Sequence, residues 1–378
     1  GASQSQVRVN FGQKPFKFPP PEGFQPLNAA NVRPETVIAR PDQYFNITEW
    51  SGNNADPRQI NLGMAADMIW VKTRNQTNWH WVSDSLRGTA DKRYKLYPND
   101  PSAEDTAPIY GQADSFNDFG FVAGGGTNDA GEHLSDSNKS GTNYICYSWK
   151  AGGSKFTYNK NGDGGSSASD IGVSATTLTL TGATINTRSK FGIYTYTGSG
   201  SGGATLNHGL GGTPGLVIYK KRTGSSSWQV YHQSLGGTQY MTLDENVDAY
   251  TSDSTRFGGT NATSSTISLG THANGATTIV LYAWCDVPGL QKFGSYTGNS
   301  NANGSFVELG FRPALLWIKR TDNGSTGNWV MLDTTRNSSN PVTTSFYADT
   351  NEADYDPGQD WADILSNGFK IPRNLRRS

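Results

Sequence analysis

The sequence contains 378 residues, with 31 Lys and Arg against 32 Asp and Glu, so its formal net charge is −1 at pH 7. This near-neutral balance lacks the excess of Lys and Arg that is typical of a protein with a nucleic-acid partner. The sequence has no run of about 20 apolar residues, so we expect no membrane insertion. Glycine is abundant, with 45 residues, and the short apolar runs between glycine-rich turns are typical of an all-β protein with little helix.

Residues 1–43 begin with one alternating segment and continue into a proline-rich stretch. Residues 7–11 alternate apolar and polar side chains as a strand does, and the prolines at 19–21 end it. With the following Gly23-Phe24 and Leu27-Asn28, this segment resembles the last strand and tail of a SPRY domain. We therefore interpret residues 1–43 as a SPRY-like terminal strand and a linker. The start at Gly1 suggests a chain that was processed or truncated, or that carries a cloning remnant.

One unit then recurs three times. Each copy has an apolar strand ending in Lys or Arg, a polar turn, and a second strand with a tryptophan near its start, which is typical of a β-hairpin. The first strands begin at Ile69, Val217 and Leu316, and the recurring tryptophans are Trp79, Trp228 and Trp329. A repeated unit of this kind predicts a repeat architecture.

The repeats predict tandem antiparallel β-sandwiches of the jelly-roll or lectin-like kind, with glycine-rich loops. Their expected bounds are residues 44–150, 191–290 and 291–378. A Gly/Ser/Thr-rich insertion at 151–190 is expected to form a two-stranded flap. The first two repeats close with apolar strands at 144–149 and 278–284, and the third lacks a counterpart. We expect the sandwiches to form a rod.

The repeated elements together resemble a module of bacteriophage virion proteins, known from tail and fibre proteins of marine phages. The resemblance is carried by the Phe-Gly-x-Tyr-Thr-Gly type of opening at 191 and 293, by the cationic hairpins, and by the Ser-Asn-Gly-Phe-Lys element at 366–370. It implies a virion location, in an extracellular particle, and a structural or adhesive role such as tail fibre or spike. It implies no catalytic residues.

Aromatic side chains are the first candidates for binding. Because Trp79, Trp228 and Trp329 recur once per repeat, we expect them to be buried core residues that fill one equivalent site. Trp81 has no tryptophan counterpart in the other copies, so Trp81, with Tyr97 and Tyr231, is the candidate contact for a host-surface glycan. Exposure of Trp81 and Tyr97 on one patch favours binding, and their burial favours an assembly role.

The spacing of Asn159, Asn161, Asp163 and Asp170 matches several positions of a calcium-binding loop. Only two of the four are carboxylates, and no helices are expected around them. We therefore expect no cofactor, with calcium at these residues as the alternative.

An acidic segment contains Asp349, Glu352, Asp354 and Asp356, but nothing in the pattern indicates the facing carboxylate pair that a glycosidase needs. We expect a protein that is not an enzyme. The alternatives are a tail-borne polysaccharide depolymerase (glycoside hydrolase or lyase) and an assembly subunit of an extracellular fibre or capsid decoration with no ligand of its own.

The two ends of the chain suggest its partners. A strand at 7–11 without its domain, and a third sandwich without its closing strand, together predict strand addition between copies of this chain or with other virion proteins. The alternative is that the chain is a fragment. Cys146 and Cys285 occur in equivalent apolar strands, where we expect buried free thiols.

Overall fold

The computed structural model describes residues 37–128, 132–299, 301, 303–321, 327–358 and 360–371. The chain divides into two units, residues 1–37 and 38–378. The SPRY-like strand at 7–11 lies outside the described residues. The second unit holds three modules, which we number module 1 (residues 44–150), module 2 (151–290) and module 3 (291–371).

Module 1 is a sandwich of two antiparallel sheets. Its strands are β1 Phe45–Ser51, β2 Arg58–Asn61, β3 Met68–Thr73, β4 Trp81–Asp84, β5 Gln112–Asn117, β6 Gly120–Gly124 and β7 Asn143–Trp149, preceded by a 3-10 helix at Pro41–Gln43. The sheet orders are β1-β7-β3-β4 and β2-β6-β5. Apolar side chains from both sheets form a core between them.

Module 2 is a larger sandwich. Its strands are β8 Tyr158–Lys160, β9 Asp163–Gly165, β10 Ser174–Thr176, β11 Leu178–Asn186, β12 Phe191–Gly198, β13 Ala204–Asn207, β14 Pro214–Lys221, β15 Gln229–His232, β16 Met241–Thr242, β17 Thr266–Leu269 and β18 Thr278–Cys285. A 3-10 helix at Ser169–Ile171 and a short helix, α1 Ser254–Phe257, complete it. The sheet orders are β16-β15-β14-β18-β12-β11-β8-β9 and β10-β13-β17.

The segment at 151–190 is part of this second sandwich and not a separate flap. β11 pairs along its length with β12, β8 pairs in parallel with β11, and β10 pairs with β13 of the opposite sheet. The alternating threonines and leucines at 176–181 therefore belong to strands that extend module 2.

Module 3 has two three-stranded sheets. Its strands are β19 Ser305–Glu308, β20 Leu315–Ile318, β21 Val330–Asp333, β22 Phe346–Tyr347, β23 Asp363–Leu365 and β24 Gly368–Ile371. The orders are β20-β21-β22 and β19-β24-β23, with a core between them. The three sandwiches confirm the prediction of an all-β fold with little helix.

The closing strands β7 and β18 lie in the middle of their sheets and are buried on both faces. In β7, Ile145 and Tyr147 point into a core shared by all three modules, and Cys146 points into the core of module 1. Successive side chains of a strand point to opposite faces, so one apolar strand serves two cores. Cys146 and Cys285 are buried free thiols, as expected.

The shared core shows that the modules do not form a rod. It contains Trp149 of module 1, Trp228 of module 2 and Trp329 of module 3. In a rod of three modules, the first and the third would not touch. Here Tyr147 of module 1 donates a hydrogen bond to Asp333 of module 3 at 2.8 Å. The modules are therefore arranged in a ring around one core.

Contacts of the same kind close the ring. The indole Nε1 of Trp228 donates to the carbonyl oxygen of Tyr97 in module 1 at 2.8 Å, and that of Trp329 donates to Thr242 in module 2 at 2.7 Å. The third contact of this set comes from His80 of module 1, whose ring lies edge-on to Phe346 of module 3 at 5.9 Å. Each hairpin thus inserts one ring into the neighbouring module.

Ion pairs reinforce the interfaces of module 1 with both of its neighbours. Between modules 1 and 2, Glu104 bridges Arg87 at 2.8 Å and Arg222 at 2.7 Å. Between modules 1 and 3, Asp354 bridges Arg74 at 2.8 Å and Arg336 at 3.1 Å. Arg87 and Arg336 are fully buried side chains, so each depends on its carboxylate partners for a compensating charge.

Within the described residues, no helix is both long and apolar enough to cross a membrane.

Candidate ligand surface

The structure buries two of the three residues that the sequence suggested for glycan contact. Trp81 is 1% exposed, packs edge-on against Phe121 and donates its indole N–H to the carbonyl oxygen of Asp136 at 3.0 Å. Tyr231 is 3% exposed, and its hydroxyl accepts a hydrogen bond from the Ala262 N–H. Both side chains belong to the cores of their own modules, so the suggestion that they bind a glycan is wrong.

Trp228 and Trp329 are buried, at 1% and 4% exposure, as the recurrence of tryptophan predicts. Trp79 is 42% exposed, so its assignment to the core is wrong. The reason is the strand register. β4 begins at Trp81, which leaves Trp79 in the turn before the strand.

The position equivalent to Trp228 and Trp329 is filled by His80. Val71 pairs with Trp81 in module 1 as Tyr219 pairs with Gln229 in module 2, which places His80 and Trp228 at the same position before the strand. The backbone N–H of each of the three residues donates to a side-chain oxygen, those of Asn99, Asp244 and Asp349. His80 is fully buried, and its Nδ1 accepts a hydrogen bond from the Trp70 indole at 2.9 Å.

The sequence contains a signal for this alignment, which is the spacing from the hairpin lysine that the first two copies share. His80 follows Lys72 by eight residues, and Trp228 follows Lys220 by eight. Aligning the copies on their tryptophans instead places Trp79 one position out of register. The lysines are the better anchor because Lys72 and Lys220 are both fully buried, which is exceptional for this residue type.

Trp79 and Tyr97 form an aromatic pair at the surface of module 1. Their ring centroids lie 5.0 Å apart at an interplanar angle of 69°. Tyr97 is half-buried, and its hydroxyl donates to Asp105 at 2.6 Å. Burial, followed by the hydrogen bond to Asp105, raises the pKa of Tyr97 well above its ordinary value. The Tyr97 ring is therefore neutral and held in place, while Trp79 is 42% exposed.

Polar groups lie near Tyr97. The ammonium group of Lys95, a residue that is only 1% exposed, lies 5.4 Å from the Tyr97 ring centroid and pairs with Asp136 at 2.5 Å. Asp100, three residues after Tyr97, is partly exposed, and its carboxylate accepts the Ser102 N–H. An exposed aromatic ring with a partly exposed carboxylate in the following turn suits a pyranose ring, which has an apolar face and a polar rim.

The side chains of Asn159, Asn161 and Asp170, three of the four residues of the candidate calcium loop, make hydrogen bonds within module 2. Asn159 is buried and exchanges hydrogen bonds with the backbone of Phe156. Asn161 and Gly162, both at positive φ, form the two-residue turn of the β8–β9 hairpin. Asp163 begins β9, and Asp170 accepts the Ser167 N–H. In the described ranges, no group of three or more His, Cys, Asp or Glu residues could hold a metal ion.

The acidic segment of module 3 has structural partners. Asp349 accepts the backbone N–H of Trp329 at 2.9 Å, and Asp354 lies between two arginines. Asp356 is exposed and accepts the Gly358 N–H. The first two carboxylates therefore hold the third hairpin and its neighbour in place.

Fold and surface together define an all-β protein of three sandwich modules around a common core, with the exposed Trp79 beside Tyr97 on module 1. By sequence, the chain belongs to the family described as "Domain of unknown function (DUF7483)", which matches residues 40–377. No curated protein and no solved structure matches the chain.

Proposed function

We propose that this chain is a structural and adhesive component of a bacteriophage particle, such as a tail fibre or spike, and that it contacts host-surface glycan through Trp79 and Tyr97. The observation that carries the glycan part is the exposure of Trp79. Eight of the ten tryptophans are buried and Trp317 is half-buried, whereas Trp79 is 42% exposed. An exposed indole held against a second ring is typical of a binding surface.

The particle part of the proposal is supported by the resemblance of the repeats to phage virion modules and by the construction of the ring. Its interfaces combine a shared apolar core with buried ion pairs, so the modules are held as one body. Such a body can present a surface loop in a fixed orientation. Adhesion at the surface of a particle needs a binding loop that is held in this way.

The rival function is a polysaccharide depolymerase. A glycosidase needs two carboxyl groups about 5–10 Å apart on either side of a sugar. In the acidic segment, Asp354 is neutralised by Arg74 and Arg336, and Asp349 accepts the Trp329 N–H. These contacts favour a structural role for both groups, and the adhesive function is therefore the one we propose.

The adhesive function is tested on an array of bacterial lipopolysaccharides and capsular polysaccharides probed with the labelled protein. We expect binding to a subset of these glycans and about tenfold weaker binding by Trp79→Ala, as expected when roughly 1.4 kcal/mol of stacking energy is lost. The matched control is Phe119→Ala, because Phe119 is also exposed, at 66%, on a turn of module 1. Equal binding by the two variants, or no binding to any glycan, would overturn the glycan part.

The location is tested separately. Gold-labelled antibody against the chain is applied to purified particles from a lysate whose phage genome encodes it. Labelling at the tail supports the proposal. A protein found only in the infected cell contradicts it.

A further inference from the structure

The interface of modules 1 and 3 differs from the other two interfaces in the ring that it holds. At the other two, the inserted ring is the indole of Trp228 or Trp329, which has no charge at any pH of interest. Between modules 1 and 3, it is the imidazole of His80, which is fully buried. Because an imidazole can gain a charge between pH 5 and 8, one of the three equivalent contacts can respond to acid.

The hydrogen bond that His80 makes requires a neutral ring. Its Nδ1 accepts the indole N–H of Trp70 at 2.9 Å. A charged imidazole carries a proton on both nitrogens, so its Nδ1–H would face the N–H of Trp70 and the hydrogen bond would be lost. Trp70 belongs to the shared core and packs edge-on against Trp317 of module 3 at 5.3 Å. Displacement of Trp70 therefore disturbs the same interface.

Two cations already lie against the ring that His80 contacts in module 3. That ring is Phe346, which is 1% exposed. The guanidinium group of Arg336 lies 4.0 Å from its centroid, and the ammonium group of Lys72 lies 5.6 Å from it. A charge on His80 would add a third cation beside this ring, where water does not reach it in the closed interface.

The carboxylates of this interface are already paired with arginines. Glu49 and Asp354 pair with Arg74, and Asp333 and Asp354 pair with Arg336, at distances between 2.6 and 3.1 Å. Within the described part of the chain, none of these carboxylates forms an ion pair with the His80 imidazole. A charge gained there in the closed interface would stay uncompensated, which is costly for a buried group.

These surroundings explain the pKa of His80. Burial, and then the charges of Lys72 and Arg336, lower this pKa well below 6.5, and the carbonyl groups of Tyr347 and Thr350 oppose them only in part. In an open interface, the imidazole meets water and binds a proton near pH 6.5. The contribution of neutral His80 to the closed interface is therefore fully present above about pH 6.5 and is lost as pH falls below that value.

Two other groups of the interface have shifted pKa values, but neither acts in the same way. Burial lowers the pKa of Lys72 to about 7, so below pH 6 this amine is charged whether the interface is closed or open. Burial raises the pKa of Glu49, so the closed interface holds this proton more tightly and acid strengthens the contribution of Glu49. His80 is thus the group that weakens the interface between pH 6 and pH 5.

The order of the modules allows this interface to open without the others. Module 1 continues directly into module 2 after Lys150, and module 2 continues into module 3 after Leu290. Modules 1 and 3 are not consecutive, so they can separate while each stays joined to module 2. Such an opening converts the closed ring into an open arrangement in which all three sandwiches remain folded.

We propose that acid opens the ring at the interface of modules 1 and 3 through protonation of His80, whereas the interfaces held by Trp228 and Trp329 stay closed. This device does not depend on the proposed function. Below pH 6.5, the equilibrium constant for opening rises by up to about tenfold for each pH unit, because one proton is bound on opening.

Hydrogen exchange of the whole chain at pH 6 and pH 5, measured by mass spectrometry and corrected for the intrinsic exchange rate, tests the proposal. The reporter is the backbone N–H of Asp354, which donates to the carbonyl oxygen of Arg74 across this interface at 2.7 Å. The internal control is the N–H of Glu104, which donates to Arg222 across the interface of modules 1 and 2 at 2.9 Å. We expect protection to fall about tenfold at Asp354 and to stay constant at Glu104.

Two variants separate His80 from the other titrating groups. His80→Gln keeps a side-chain oxygen that accepts the Trp70 N–H and has no charge at either pH. His80→Trp supplies the ring that the other modules use, and module 3 already packs Trp317 against Trp329 at 5.4 Å, much as Trp70 packs against His80 at 5.9 Å.

In both variants, the protection of Asp354 should no longer fall between pH 6 and pH 5. The proposal is overturned if the fall persists in either variant, because another group would then drive the opening. It is also overturned if the unmodified protein shows no fall at Asp354, or an equal fall at Asp354 and Glu104. The comparison of these two amides within the unmodified protein does not depend on how well a variant folds.

Discussion

The indole Nε1 of Trp228 donates a hydrogen bond of 2.8 Å to the backbone carbonyl oxygen of Tyr97, 131 positions earlier in the chain. The same Tyr97 forms the aromatic pair with Trp79 at the surface. A side chain of module 2 therefore holds the backbone of Tyr97, a residue of the candidate glycan surface of module 1. Packing between modules and the geometry of the proposed binding surface are linked through one residue.

Replacing Trp228 with alanine should reduce the free energy of unfolding by about 3–5 kcal/mol, because a fully buried indole is removed and a cavity is left. Chemical denaturation monitored by circular dichroism measures this loss. The control is Trp79→Ala, which removes a 42% exposed indole and should cost about 1 kcal/mol or less. Similar losses for the two variants would contradict the assignment of Trp228 to the shared core.

Glu104→Gln should destabilise the protein by about 3 kcal/mol, because Arg87 and Arg222 then share no anion at the interface of modules 1 and 2. Asp84 still pairs with Arg87, which limits the loss. Arg40→Ala provides the surface comparison, since the Arg40–Asp42 pair is exposed and should contribute less than about 1 kcal/mol. If Glu104→Gln were as stable as Arg40→Ala, the ion network would not hold the ring.

The sequence predicts the fold class and the hairpins well because these depend on neighbouring residues. Alternation of apolar side chains and glycine-rich turns act over fewer than about ten residues, and the cationic hairpins at 69, 217 and 316 all form. The ring could not be predicted in this way. It depends on pairs such as Arg74 with Asp354, 280 positions apart, whose partners look like ordinary surface charges in the sequence.

The candidate surface is predictable in part. Tyr97 is half-buried beside the exposed Trp79, but Trp79 and Trp81 exchange the roles that tryptophan recurrence assigns to them. A shift of one residue in a strand moves a side chain to the other face, and here one turn residue decides where β4 begins. In the third copy the tryptophan follows the lysine by ten residues, so the spacing shared by the first two copies does not extend to it.

No reducing ends should be released from bacterial surface polysaccharides incubated with the protein. The expectation follows from the acidic segment, in which the partly exposed carboxylate of Asp354 pairs with two arginines. A reducing-end assay checks it, with Asp356→Asn as the variant that leaves the arginine network intact. Turnover by the unmodified protein that Asp356→Asn abolishes would support the depolymerase in place of the adhesive function.

The last prediction concerns the pH dependence of stability at His80. Burial, and next the nearby charge of Lys72, lowers the pKa of His80 well below 6.5 in the folded protein. The unfolded chain binds a proton at this residue near pH 6.5, whereas the folded chain does not. The contribution of neutral His80 is therefore fully present above about pH 6.5 and is lost as pH falls below that value.

A single group of this kind changes the free energy of unfolding by up to about 1.4 kcal/mol per pH unit. Denaturation measured at several pH values gives the change of the free energy of unfolding with pH. Between pH 6 and pH 5 this change should be smaller for His80→Gln than for the unmodified protein by about that amount, whatever the stability of the variant at pH 7. His133→Gln, which removes an imidazole that is 40% exposed, is the surface comparison measured alongside. If both variants keep the slope of the unmodified protein, then His80 accepts a proton in the folded state. The pocket between modules 1 and 3 would in that case be open to water, and the closed ring described above would not persist in solution.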